Sequence, residues 1–591
     1  MSETLNEYIQ ESKRIKASKA KLAKQIRVAF LSNFTLKWFS EVLSVLCYKN
    51  RISAEVYTAP YNQYTQEILN KASKLYKFEP QLTVLILDAK KLLGKRYDFP
   101  YRLSPKERRE LIDATYNELI GLVERILDNL KTIVLLHNFR VPLSSPMGIL
   151  ENKQEFGFVE MIEALNSKLR EYAKQNKSVF VFDFNRFCLK YGLSQVSDKR
   201  LEYLADMRFA PEIIPKLCEE YLGYIIPILS MTKKCLVLDL DNTLWGGIIG
   251  EDGIEGIKLG PEKEGLPFLE FQKRILNLFE RGIILAINSK NNPEDALKVL
   301  REHPYMLLRE EHFASMKINW NDKVSNMIEI AKEINIGLGS LVFIDDDKLN
   351  RALVREQLPE VTVVELPEDI ALYPEVIDNL KVFNTLQITK EDLQKGRMYA
   401  QQRKRTELMG KVANLDEFLK RLKMRITLYK ANQFNIPRIA QLTQKTNQFN
   451  MTTKRYLEQD IKEFAESQSY EVYCAQVEDR FGDNGITGVV IIEKKPEEKA
   501  WVIDTFLLSC RIIGRKVEDI LIAKMAEKAR AAGANKLIGL FIPTKKNKPA
   551  EDFYKRMGFV LKRKEGELQV WEYDLSKGIP KGHDYVELIE K

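Results

Sequence analysis

Two carboxylates two residues apart, Asp239 and Asp241, follow the apolar run Cys235-Leu236-Val237-Leu238. A short continuous apolar run reads as a buried parallel strand. Residues two apart on a strand point the same way. Both acids are therefore expected in one crevice at the carboxyl end of a sheet, where open α/β folds bind ligands. Two anions so close repel unless a cation sits between them, and paired oxygen ligands suit Mg²⁺. The chemistry this pair suggests is metal-dependent phosphoryl transfer.

Partners for the pair follow downstream. Residues 282–289, Gly-Ile-Ile-Leu-Ala-Ile-Asn-Ser, read as an apolar strand ending in the hydroxyl of Ser289. Lys323 sits near the start of a helix-patterned segment after Trp320. A third apolar strand, Leu341-Val342-Phe343-Ile344, ends in Asp345-Asp346-Asp347. Strand–DxDxT, strand–Ser, Lys and strand–DD in this order resembles the haloacid dehalogenase (HAD) superfamily. The resemblance implies a HAD-like Rossmannoid parallel sheet, with Asp239 as the nucleophile that becomes an aspartyl phosphate. It makes Asp241 the acid/base, with Ser289 and Lys323 holding the phosphoryl group. Asp239, Asp241, Asp345 and Asp346 would bind Mg²⁺, and Thr243 would meet the substrate. An acid two residues after the nucleophile points to a phosphatase or phosphotransferase rather than a dehalogenase. Lys317 stays open as an alternative to Lys323, and a solvated acidic turn as the bland alternative for Asp239.

This site is only part of the machine. A chain of 591 residues holds about three or four domains of ordinary size. No apolar run is long enough to span a bilayer, and residues 1–25 are Lys-rich and polar rather than a secretory signal. Six scattered cysteines without CxxC spacing argue for a reducing cytosol and against a zinc site. The net charge of +9 is spread out, with no basic block interleaved with aromatics. That favours acidic protein partners over nucleic acid or membrane.

Ahead of the acidic pair, residues 26–31, 82–87, 132–136 and 179–182 look like strands, and 105–130 like a helix between them. Strands alternating with helices imply a parallel sheet. Ser32-Asn33 and His137-Asn138 weakly resemble the SGNH hydrolase arrangement, but that family's late Asp-x-x-His is replaced by Asp206-Met207-Arg208-Phe209. With no histidine to activate Ser32, a structural or docking role is the expectation for this unit.

Behind the acidic pair, residues 378–419 are charged and helix-patterned, a connector expected to carry little chemistry. Residues 501–508 then read as a strand, followed by Ser509-Cys510-Arg511-Ile512-Ile513-Gly514-Arg515-Lys516 and a helix pattern from Val517. Arg511-x-x-Gly514-x-Lys516 between strand and helix resembles the pyrophosphate loop of GNAT acyltransferases, where backbone N–H groups cradle coenzyme A phosphates. The segment from Asn547 through Tyr554 to Gly558-Phe559 resembles a second GNAT motif. Cys510 precedes a helix and is flanked by Arg511, Arg515 and Lys516, conditions that favour a thiolate. The competing reading is a buried structural cysteine at a strand end.

Taken together, the motifs give an α/β chain of four parts. These are an SGNH-like domain (1–230), a HAD-like domain (231–377), the connector (378–419) and a GNAT-like domain (420–591). With the strings Leu-Asp-Leu-Asp-Asn-Thr-Leu-Trp-Gly-Gly (238–247), Lys-Thr-Asn-Gln-Phe-Asn (445–450) and Ser-Cys-Arg-Ile-Ile-Gly-Arg (509–515), the chain resembles the FkbH-like phosphatase/glyceryl transferases. That resemblance implies consumption of 1,3-bisphosphoglycerate, release of phosphate at the HAD site, and glyceryl loading onto an acyl carrier protein for polyketide-type biosynthesis. Cys510 would be the transient glyceryl carrier, with Asn447, Gln448 and Arg480 lining its pocket. No carrier-protein Gly-x-Asp-Ser-Leu motif occurs, so the phosphopantetheine arm must arrive on another protein. Two alternatives stay open. One is a plain HAD phosphatase of a small phosphoester with a GNAT-like binding domain, and the other is a coenzyme A-dependent N-acyltransferase.

Overall fold

The computed structural model describes residues 4–18, 22–409, 412, 414–509, 511–583 and 585–591. Three sheets carry the chain, which divides into two compact units. The first unit is Met1–Lys233 with Asn379–Ile388, and the second is Lys234–Asp378 with Thr389–Lys591. No helix among the described residues is long and apolar enough to cross a membrane.

The first unit is built on β1 (Lys24–Ser32), β2 (Ile52–Thr58), β3 (Leu82–Ile86), β4 (Ile133–His137) and β5 (Val179–Phe182). These run parallel in the order β2-β1-β3-β4-β5. Every residue of β3 is buried, as a strand covered on both faces requires. The crossover helix Pro105–Asn129 starts with proline at its first turn and a Ser104/Glu107 capping box, which fixes where it begins. The order reverses between β1 and β3, the point at which open sheets form a ligand crevice. Residues 52–58 form a strand that apolar-run reading passes over. The segment Ile-Ser-Ala-Glu-Val-Tyr-Thr is only half-buried and polar at alternate positions because β2 is an edge strand.

The second unit begins with β6 (Cys235–Leu238), β7 (Ile284–Ser289), β8 (Phe313–Ile318), β9 (Leu341–Ile344) and β10 (Thr362–Val363), all parallel, in the order β10-β9-β6-β7-β8. It continues with a nine-stranded, mainly antiparallel sheet. Its strands are β11 (Arg425–Lys430), β12 (Phe449–Asn450), β13 (Tyr470–Asp479), β14 (Gly482–Lys495), β15 (Ala500–Leu508), β16 (Lys536–Phe541), β17 (Val560–Glu565), β18 (Leu568–Asp574) and β19 (Glu587–Glu590). The pair β15–β16 is parallel within it. Helix Val517–Ala531 packs its apolar side onto that sheet in one continuous core with Ile503, Phe506 and Phe541.

Residues 378–419 are not one connector. Asn379–Ile388 cluster with the first unit, whereas helix Lys395–Met409 lies within the second and contacts β7, β8 and β14. Close approach holds it there. A side chain at Gly282 would meet the Asp392 carbonyl oxygen at 1.8 Å, and one at Gly396 would meet the Phe279 ring at 2.7 Å. Near its far end, the fully buried Arg405 forms a fork to Asp479 (Nε–Oδ2 2.7 Å, Nη2–Oδ1 2.8 Å). Arg515 adds a second guanidinium to the same carboxylate at 3.0 Å. Removing one member of a buried ion pair strands the others without compensation. Asp479→Ala is therefore expected to lower the stability of the second unit by about 3–5 kcal/mol, read by chemical denaturation followed through tryptophan fluorescence.

Candidate functional site

Strand register assembles the acidic site. Leu238 pairs with Ile344 of β9 and with Ile287 of β7, so the next residue, Asp239, falls beside Asp345 and Asn288. Lys323 opens helix Lys323–Ile334, capped by Asp322, and drives its amine into this gap. Its Nζ lies 2.7 Å from Asp239 Oδ1, 3.0 Å from Asp345 Oδ2 and 2.7 Å from the Asn288 carbonyl oxygen. The side chain is 2% exposed. Burial works against its charge, but Asp239 and Asp345 prevail and hold its pKa above the ordinary lysine value. Lys317, the alternative, instead pairs with Glu329 (2.8 Å) and Glu333. Asn288 locks the arrangement, donating to the Lys323 carbonyl (2.9 Å) and accepting from Asn326 (3.1 Å).

Carboxylate oxygens of Asp239, Asp345 and Asp346 all lie within 4.8 Å of one another. Burial first, then the charge of Asp239, raises the Asp345 carboxyl; burial with the charges of Asp239 and Asp345 pushes Asp346 up to about 6. Asp345 Oδ2 is buried and accepts no hydrogen bond, although Lys323 is close enough to pair with its charge. Three clustered acids, two of them paired to one amine and a bare buried oxygen among them, fit a hard divalent cation bound by oxygen ligands.

Asp241 does not join this cluster. Strand β6 ends at Leu238, so the two-residue alternation that predicts a shared direction no longer governs Asp241. Its carboxyl instead accepts from Trp245 Nε1 (2.9 Å), Asn291 Nδ2 (2.8 Å) and the Ile249 N–H (3.1 Å). Burial raises its pKa above the usual carboxylate range against the pull of those donors. A separately held carboxyl that resists ionisation suits proton transfer better than metal ligation. Gly247, at φ 94°, turns the chain just beyond and donates to Asn242 Oδ1 at 2.9 Å. Thr243 is buried with its hydroxyl unbonded, and Ser289 is buried at the end of β7, its carbonyl accepting from the Asn319 N–H. Asn291 lies outside the motifs, and Trp245, within the 238–247 string, carries no role in the motif reading. Asn291 lies two residues past the Ser289 strand end, where a polar side chain could have drawn notice.

A cavity of about 640 Å³ lies elsewhere in the second unit. Arg438 and Gln441 line it from helix Ile436–Lys445, Asn447, Gln448, Lys545 and Lys546 from loops of the large sheet, and Lys395, Met398 and Tyr399 from the connector helix. Ser509 and Arg511 line it too, whereas Cys510 between them lies outside the described residues. Arg511 reaches Ser509 Oγ (3.2 Å) and Met398 Sδ (2.6 Å). The wall carries Lys395, Arg438, Arg511, Lys545 and Lys546 against the single carboxylate Asp392.

Several residues expected to bind substrate or carrier have other work. Arg515 is buried against Asp479 and Gln402, and burial pulls its pKa down to about 10. Lys516 takes a left-handed conformation before helix Val517–Ala531 and pairs with Asp416 at 3.3 Å. Arg480 sits exposed at the β13–β14 turn over the Phe481 ring, away from the cavity lining. Asn547 is fully buried and staples a loop, bonding Thr544 N, Asn450 O and Ile542 O. Tyr554 is core, its ring under Gly539, where a side chain would approach to 2.4 Å. Gly514, at φ 82°, turns the loop as a glycine can. Each loss has one cause: the motif supplies residue types, whereas the direction of each side chain follows from burial.

Residues 27–226 match the FkbH N-terminal domain family, and residues 436–559 match the acetyltransferase (GNAT) family. The N-terminal domain is FkbH-like. The N-terminal part of protein BF1531 from Bacteroides fragilis, a crystal structure containing a phosphatase domain complexed with Mg, is 29% identical. That match covers 66% of this chain and all of the Bacteroides one, with a TM-score of 0.59. A putative GNAT-family acetyltransferase from Desulfovibrio desulfuricans is 12% identical over 25% of this chain and 99% of its own (TM-score 0.21). A spermidine N-acetyltransferase mutant from Vibrio cholerae is 16% identical over 26% and 95% (TM-score 0.21). No curated protein matches. The chain thus joins an FkbH-like N-terminal domain and a HAD-like phosphatase unit to an acyltransferase-family domain.

In metal-free buffer, a folded-state carboxyl raised to about 6 adds stability below the ordinary aspartate pKa and loses it as pH rises through about 6. Asp346→Asn should therefore stabilise the metal-free protein at neutral pH by about 1 kcal/mol, after allowing for solvent screening. That gain should vanish as pH falls below the ordinary aspartate range, and calorimetry at matched pH checks it.

Proposed function

We propose that this chain is a bifunctional phosphatase and glyceryl transferase that acts on 1,3-bisphosphoglycerate and an acyl carrier protein in the cytoplasm, within polyketide-type biosynthesis. The observation that carries this reading is the division of labour among the acids. Asp239 is held by Lys323 beside two further carboxylates, while Asp241 is held apart with a raised pKa. At the first site a carboxylate oxygen of Asp239 attacks phosphorus and the ester P–O bond breaks. Asp241 gives its proton to the leaving alkoxide, then takes one from the water that hydrolyses the aspartyl phosphate. Mg²⁺, which Asp239, Asp345 and Asp346 would hold, neutralises charge on the transferring phosphoryl group when bound. Lys323 keeps Asp239 oriented throughout.

At the second site an acyl phosphate is already activated. The Cys510 thiolate attacks the C1 carbonyl, the C1–O bond breaks and phosphate leaves, giving a glyceryl thioester. A phosphopantetheine thiol of the carrier then displaces the cysteine. The cationic wall of Arg438, Arg511, Lys545 and Lys546 supports an anionic donor or phosphopantetheine arm. The match to the acetyltransferase family favours one second reading, acyl transfer from coenzyme A to an amine.

Intact-mass analysis after mixing with 1,3-bisphosphoglycerate and Mg²⁺ separates the readings. A glyceryl-sized adduct is expected on the parent and absent from Cys510→Ala. Asp239→Asn should abolish release of the ester phosphate, and Asp241→Asn should slow it by about 10²–10⁴-fold. Phosphate release with no adduct on the parent reduces the protein to a phosphatase, and acetyl-coenzyme A turnover by Asp239→Asn supports the second reading. Asn291→Ala, which removes one donor to Asp241, should lower kcat about ten-fold with little change in KM.

A further inference from the structure

The N-terminal unit has a crevice that the proposed chemistry does not use. It opens at the reversal of strand order between β1 and β3, at the carboxyl ends of the strands. Phe34, Phe184 and Phe209 form an aromatic wall, with ring centroids of successive pairs 5.6 Å apart. Arg140, Arg208 and His137 line the same crevice, Arg208 over the Phe34 ring at 5.8 Å and His137 beside Phe184 at 5.8 Å.

The two guanidiniums differ in how they are held. Arg208 pairs through Nε with Asp88 (3.1 Å) and through Nη2 with Asp206 (2.8 Å), which fixes its plane. Its Nη1 is buried without a hydrogen-bond partner. Leaving a charged donor buried and bare is costly, so a site that keeps one is shaped for an acceptor. Arg140 is half-buried on the same cavity and has no carboxylate or carbonyl partner among the described residues. The other charges nearby are matched: Lys90 with Asp98 at 3.0 Å, Lys91 with Asp206, and Glu202, which also feels Arg140 and Arg208, with Lys199 at 2.8 Å. His137 adds no charge, since burial holds its pKa down to about 3, and its Nε2 shares a hydrogen bond with Tyr221 (2.8 Å). One uncompensated positive charge suits a monoanion rather than a phosphate dianion.

Size narrows the ligand further. The cavity volume is about 50 Å³. At about 10–15 Å³ per water-sized occupant, this holds about four heavy atoms, the size of a carboxylate on a short carbon chain. Ser32 does not compete for chemistry here. Its hydroxyl accepts from the Phe34 N–H (3.1 Å), and His137 is bonded to Tyr221 rather than to it.

We propose that this crevice is a binding site for a small monocarboxylate, its carboxylate on Arg140 and Arg208 and its carbon end against Phe34, Phe184 and Phe209. The ligand is bound and not hydrolysed. The test is a titration of the full-length protein with acetate, read by saturation-transfer NMR on the methyl group. Saturable binding is expected, weakened about ten-fold or more in Arg140→Ala, with Arg140→Lys intermediate because it keeps the charge and loses the fork. Inorganic phosphate should fail to displace the acetate. Arg140 is half-exposed, so its variants should melt with the parent; Phe184→Leu, which narrows the aromatic wall, gives an independent loss of affinity. Absence of saturable binding, binding unchanged in Arg140→Ala, or displacement by phosphate would overturn the proposal.

Discussion

Everything in the acidic site depends on one buried ammonium. Asp239, Asp345 and Asp346 are brought together by strand register, and three carboxylates in low dielectric repel each other strongly. Lys323 balances part of that charge from within, with three oxygens at 2.7–3.0 Å and almost no solvent. A lone buried lysine would be driven towards neutrality. Here the surrounding acids keep it charged, and it in turn holds the Asp239 carboxylate in place. The helix that carries it, the Asp322 cap that starts that helix and the Asn288–Asn326 amide pair all serve to place one nitrogen. Burial first, and then the charge of Asp239, raises the carboxyls of Asp345 and Asp346; the amine offsets too little of that shared charge, and the remainder favours a divalent cation.

The fold was legible wherever an element was apolar along its whole length. Residues 341–344 and 235–238 read as strands and are strands, because a strand covered on both faces has no polar side to confuse the pattern. Edge strand β2 was not legible for the opposite reason. The acidic site was half-legible. Asp239, Lys323, Asp345 and Asp346 meet because each stands at the end of an element whose position the sequence shows. Asp241 departs because its strand has already ended, and its donors Trp245 and Asn291 come from turns whose paths no periodicity encodes.

The large sheet shows a further limit. Sequence alone makes Arg511, Arg515 and Lys516 one basic cluster beside Cys510. In the structure Arg515 turns inwards to Asp479, where it shares a carboxylate with Arg405 from the connector helix. Adjacent residues in a loop face different ways, and charge counted along the chain overstates charge available at one place. The cations that do line the cavity come from segments far apart in sequence, Arg438, Arg511, Lys545 and Lys546.

The connector helix gains its importance from the same buried pair. Gly282 and Gly396 let it settle against the phosphatase-like sheet at distances no side chain would allow, and Arg405 fastens its other end to the large sheet. Between these anchors Lys395, Met398 and Tyr399 form part of the cavity wall. A flexible tether could have joined the two folds without shaping either. A helix wedged at one end and ion-paired at the other makes the cavity wall depend on how the helix seats on the phosphatase-like sheet. The cavity beside the acyltransferase-family domain is therefore not walled by that domain alone. Part of that pocket is supplied by the segment that leads out of the phosphatase-like fold.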